Sequence, residues 1–66
     1  MVDLTKMHIL LFKNKISKSK LAEIIGKTRQ TVYSKLQGKR KFTVEELNRL
    51  AKHLKISLKD LMLQLM

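Results

Sequence analysis

The sequence predicts an all-α fold, a compact bundle of five short helices. Three observations predict it. Proline is absent and glycine occurs twice in 66 residues, which is too few turn formers for a sandwich or barrel of strands. Apolar residues recur at three- and four-residue spacing in several segments, as a helix with one buried face requires. A Ser, Thr or Asp stands ahead of each segment, where its side-chain oxygen can cap free backbone N–H groups. Hydrophobic residues make up 44% of the chain, so a core is available, but a chain this short must pack it economically. Residues 1–66 are expected to form a single domain.

The elements follow in order. Asp3 caps a first helix over residues 4–12, with Leu4, Met7 and Leu11 on one face and Ile9, Leu10 and Phe12 adding apolar surface. Asn14-Lys15 ends it. Ser17 caps a second helix, in which Leu21, Ala22 and Ile25 face inward. Gly26 stops it as a left-handed residue just past the end. After a very short turn Thr28 caps a third helix, with Val32 and Leu36 inward and Gly38 as its stop. Lys39-Arg40-Lys41 form a loop. Thr43-x-x-Glu46 is a capping box and the clearest start signal in the chain. Leu47, Leu50, Ala51 and Leu54 continue that fourth helix as one stripe. Ser57-x-x-Asp60 resembles a second box with a shorter acid, and Leu58, Leu61, Met62 and Leu65 form the inward stripe of a fifth helix.

The formal net charge is +10, and nearly all of it lies in one stretch. Residues 13–41 hold ten bases and a single acid, Glu23, whereas the segments on either side are close to balanced. A solvated surface needs charge but not charge of one sign, so the uncompensated block points to an anionic partner.

Within that block runs SKSKLAEIIGKTRQTVYSKLQG, residues 17–38. Two helices meet at a tight turn on Gly26. A small residue, Ala22, stands where they must touch, and Val32 anchors the second helix on the first. This is the arrangement of a helix-turn-helix that reads duplex DNA, here at about residues 17–37. From about Leu11 to Leu61 the chain resembles the Cro and phage-repressor helix-turn-helix family, often called XRE. The stretches LAEIIGKTRQTVYSKLQGKRKFT and VEELNRLAKHLKISLKDLM carry the likeness, which is greatest to small regulators of Gram-positive phages and mobile elements. The resemblance implies a lambda-repressor-like DNA-binding fold. One position departs from it. The family is usually apolar nine residues after the turn glycine, where this chain has Lys35. Leu36 is expected to take its place, which would rotate or shorten the end of the third helix.

At about 100° per residue, Arg29, Gln30, Tyr33, Ser34 and Gln37 share one arc of the third helix, away from Val32 and Leu36. The resemblance puts base contacts at Arg29, Gln30 and Ser34, with Tyr33 nearby. The chemistry agrees, since Arg pairs two donors with guanine, Gln pairs a donor and an acceptor with adenine, and Ser serves either. Tyr33 offers a ring edge to a thymine methyl or a hydroxyl to phosphate; the alternative is that it packs over the turn. Ser17, Lys18 and Ser19 open the second helix and Thr28 the third, where N–H groups and the helix dipole favour phosphate. Lys39, Arg40 and Lys41 stand where the family's loop approaches the DNA backbone. Met62, Leu63, Leu65 and Met66 are more apolar residues than one stripe needs. They are expected to form an exposed patch that pairs two copies as a homodimer, the alternative being a well-packed terminal helix.

Other classes fit less well. Cysteine is absent, and no nucleophile, phosphate loop, metal-ligand cluster or catalytic carboxylate pair is legible, so neither an enzyme nor a bound metal or cofactor is expected. No apolar run approaches the about 20 residues of a membrane span. A membrane-active cationic peptide would share the charge, but caps and several differently aimed stripes specify a globule. RNA binding lacks its cluster of stacking aromatics. An antitoxin-type interaction module on the same fold is the principal alternative, although the extension such a module needs is almost absent. The expected role is a sequence-specific double-stranded DNA-binding regulator in the bacterial cytoplasm. It would act as a Cro-like repressor by occupying an operator, with no small-molecule effector.

Overall fold

The order of the helices is α1 (Leu4–Lys13), α2 (Lys18–Ile25), α3 (Arg29–Leu36), α4 (Val44–Leu54) and α5 (Leu58–Leu65). They are seen in a computed structural model that describes residues 2–66. Among the described residues there is no strand. Each helix begins on the residue expected to cap it. Asp3, Ser17, Thr28, Thr43 and Ser57 all have extended backbone and accept a hydrogen bond from the N–H three residues on. Thr43 and Glu46 complete the reciprocal box. At Ser57 the hydroxyl accepts from Asp60 N–H.

The first four helices end alike. A left-handed residue follows each one, and the next N–H reaches back to the carbonyl five residues earlier, so the last turn keeps its acceptors filled. Gly26 and Gly38 fill this place after α2 and α3, as expected. After α1 and α4 the residues are lysines, Lys15 at φ 56° and Lys55 at φ 60°. A left-handed lysine costs about 1–2 kcal/mol. The residue after each offsets it by turning inward: Ile16 is buried and Ile56 half-buried against the core.

The core gathers one stripe from each helix. Met7, Leu21, Ile25, Val32, Leu50, Leu61 and Leu65 are its largest fully buried side chains. α2 packs on α3 and α4, α4 on α5, and α1 on both α5 and α3. The ends of the bundle are joined by Asp3 N–H, which donates to the Leu65 carbonyl at 2.6 Å.

Two expectations change. Leu65 does not belong to an exposed patch; it is 0% exposed in the protein's own core, and Met62 is half-buried against it. The reason is helical spacing, which puts Leu61, Met62 and Leu65 on the face α5 turns to the bundle. Leu63 and Met66 do stay exposed, at 65% and 60%. Nor is the end of α3 rotated or shortened at Lys35. The helix runs through Leu36, and Lys35 itself is buried at 6% exposure beside Leu36 at 5%. Its aliphatic stem takes the place an apolar residue would fill. Its ammonium meets the carboxylate of buried Glu46 at 2.8 Å.

Candidate nucleic-acid interface

The turn between α2 and α3 is tight because Gly26 is left-handed, at φ 73° and ψ 34°. Lys27 N–H returns to the Ala22 carbonyl at 3.0 Å. Ala22 and Val32 are buried where the two helices meet, as their spacing requires. α4 holds the turn from the other side. Arg49 donates to the Ile25 carbonyl at 3.2 Å and to Glu45 at 3.0 Å. A Cβ on Gly26 would lie 2.5 Å from Arg49 Nη1. Glycine therefore meets the backbone angle without strain and leaves Arg49 in place.

α3 buries Val32, Lys35 and Leu36 and turns its other side outward. Arg29, Gln30 and Gln37 are exposed, Tyr33 is 49% exposed, and Ser34 is half-buried. The ammonium of Lys18, from the start of α2, lies 4.8 Å from the Tyr33 ring centroid. Lys18, Arg29, Gln30 and Tyr33 together line one shallow concavity on this side. A cation over a half-exposed ring is a weak attraction, and it steadies both side chains.

The hydroxyls at the helix starts divide their work. Ser17 accepts from Lys20 N–H at 3.1 Å, which leaves its own proton free. Thr28 accepts from Thr31 N–H at 3.1 Å and donates to the Thr31 hydroxyl at 3.0 Å. Thr31, a residue the sequence reading passed over, thus shares the mouth of α3 with Thr28. Its position three after a Thr cap is the signal that marks it. Lys18 and Ser19 are exposed on the first turn of α2.

Past α3, Gly38 at φ 84° redirects the chain, and Lys39, Arg40 and Lys41 follow in the open. The loop is tied down at both ends, where Lys39 N–H donates to the Ser34 carbonyl at 3.0 Å and Lys35 Nζ to the Lys41 carbonyl at 2.8 Å. Glu46 Oε1 receives Lys35 Nζ at 2.8 Å and Thr43 N–H at 2.9 Å. Burial works to raise the Glu46 carboxyl, but the hydrogen bonds from Lys35 and Thr43 and the Lys35 charge outweigh it and hold the group below its ordinary value.

A carboxyl depressed in the folded state adds stability above its unfolded value, near about 4.3, and loses it as pH falls through the folded value. Thermal midpoints measured from pH 6 to pH 3 should therefore fall more steeply for the native chain than for Glu46→Gln.

Helix starts rich in N–H donors, an outward face of Arg and Gln, and an exposed basic loop directly after α3 suit a polyanion with readable edges. Among the described residues no group of His, Cys, Asp and Glu is placed to hold a metal ion. Among them, too, no helix is long and apolar enough to cross a membrane. The sequence matches the family of the Cro/C1-type HTH DNA-binding domain over residues 6–63. The chain belongs to that family. The match runs from α1 into α5, so this Cro/C1-type domain takes in the motif and all the helices that brace it. No curated protein and no solved structure matches the chain. Its membership makes the protein a DNA-binding regulator.

Proposed function

We propose that the protein is a sequence-specific repressor that lays α3 in the major groove of an operator. Arg29, Gln30, Tyr33 and Ser34 read base edges there. Ser17, Lys18, Ser19 and Thr28 at the helix starts, with Lys39, Arg40 and Lys41 in the loop, hold the phosphates. The observation that carries this reading is the open polar side of α3, where Arg29, Gln30, Tyr33 and Gln37 are exposed, flanked by basic residues on both of its neighbours. Occupancy of a promoter in the bacterial cytoplasm blocks transcription.

The operator is read by two copies. The longest extent of the molecule is 27 Å, whereas half-sites recur at about one DNA turn, 34–36 Å. Leu63 and Met66 are the exposed apolar residues at the end of α5 that we assign to the contact between copies. Selection from a random duplex pool tests the whole reading. A palindromic winner is the expected result, and a pool with no preferred sequence overturns it.

Two substitutions separate reading from gripping. Arg29→Ala should weaken the best site by about 1–3 kcal/mol and relax discrimination at one base pair, measured by competition against single-base variants. Lys39→Ala should weaken operator and random duplex alike. It should also lower the slope of log affinity against log salt by about one unit.

A further inference from the structure

We infer that Lys35 is a positioning residue for DNA binding, one that never touches DNA itself and sets where the basic loop meets the phosphates. This rests on the DNA-binding reading above. Lys35 sits in the last turn of α3 with its side chain 7% exposed. Its ammonium makes two bonds of equal length in different directions. One goes to Glu46 Oε1 on α4, the other to the main-chain carbonyl of Lys41, both at 2.8 Å. The same Glu46 oxygen accepts Thr43 N–H at 2.9 Å. The Phe42 ring, half-buried between these anchors, has its centroid 5.8 Å from the ammonium. One buried charge thus joins the end of the reading helix, the loop and the start of α4.

An apolar residue would fill this space, and a buried ion pair is often no better for stability than a well-packed apolar pair. What an apolar residue cannot do is donate to the Lys41 carbonyl. That bond is made at the far end of the segment carrying Lys39, Arg40 and Lys41, whose side chains are exposed. Phosphates sit at fixed spacing, so three cations act together only when their backbone is held. Lys39 N–H holds the near end through the Ser34 carbonyl, and Lys35 holds the far end from inside the bundle, which leaves all three loop cations free for DNA.

The test compares the native chain with Lys35→Met/Glu46→Leu, which removes both charges together. The double variant should stay folded, melting near the native temperature with a small loss from the broken capping box, and keep its preference for the operator. Its slope of log affinity against log salt should drop by about two units, the worth of two to three phosphate contacts. Amides 39–42 should exchange faster, with those of α4 unchanged. A folded double variant with the native slope overturns the inference while leaving the DNA-binding reading intact. A native chain that binds no duplex overturns both. A measurement on the native chain decides even if the variant fails to fold. The Lys35 ammonium protons should give a slowly exchanging NMR signal that persists when operator duplex is added. Loss of that signal on binding would mean that Lys35 swings out to a phosphate, which overturns the positioning role.

Discussion

Replacing Lys35 alone by methionine should destabilise the protein by about 3–5 kcal/mol, because it strands a buried carboxylate. Methionine matches the lysine stem, so packing changes little. Glu46 is 3% exposed, and its Oε2 is buried without a hydrogen-bond partner. With Lys35 gone, the Thr43 N–H is the remaining donor to that carboxylate. Few domains of this size have stability to spare on that scale. The loss should depend on pH in a definite direction. In the native chain the bonds from Lys35 and Thr43 hold the carboxyl low, so stability falls on acidification. In the variant, burial dominates and raises the carboxyl above its unfolded value, so its penalty is full at neutral pH and fades as the proton binds. Urea midpoints of the two chains should therefore converge between about pH 6 and pH 4. A constant gap would mean that Glu46 is not the stranded charge. Glu46→Leu on the same background should recover most of the loss, since an apolar pair in this volume is tolerated.

That pair also marks the limit of what the sequence made legible. Caps, stripes and the turn glycine are local signals, each readable from residues a few positions apart. Asp3, Ser17, Thr28, Thr43 and Ser57 therefore start the helices they were expected to start. Lys35 and Glu46 lie on different helices, so neither residue alone announces a buried ion pair. On its own, Lys35 reads as a disturbance of the apolar pattern. The left-handed lysines at 15 and 55 are hidden for another reason: propensity favours glycine or asparagine there, and tertiary burial of Ile16 and Ile56 overrides it. The clamp from Arg49 to Ile25 spans 24 residues and had no local signature. At the interface, helical spacing was enough to give the outward arc of Arg29, Gln30 and Tyr33. It could not give the approach of Lys18 to Tyr33 or the coupling of Thr28 to Thr31, which depend on how two helices cross and on rotamers.

Gly26→Ala should cost about 2–3 kcal/mol through two separable effects, a left-handed backbone and a lost hydrogen bond. The backbone sits at φ 73°, where an L side chain is strained by about 1–2 kcal/mol. The new Cβ would also stand 2.5 Å from Arg49 Nη1. Arg49 is flexible and gives way, and the Ile25 carbonyl then loses its donor, worth about 0.5–1.5 kcal/mol. A double-mutant cycle separates the two. In an Arg49→Ala background the clash has no partner, so Gly26→Ala should cost only the backbone part, measured by urea unfolding at neutral pH. Equal costs in both backgrounds would show that Arg49 contributes nothing at the turn. The cycle bears on function because Gly26 forms the turn between α2 and α3 and Arg49 is bonded to it at the Ile25 carbonyl. On the proposed reading the turn has to be rigid for the open side of α3 to meet a groove, since Arg29 and Gln30 would pair with bases only at hydrogen-bonding distance. Stability and reading therefore depend on the same few atoms, and a variant loosened at Gly26 should lose discrimination between base pairs before it loses its lysine-driven hold on DNA.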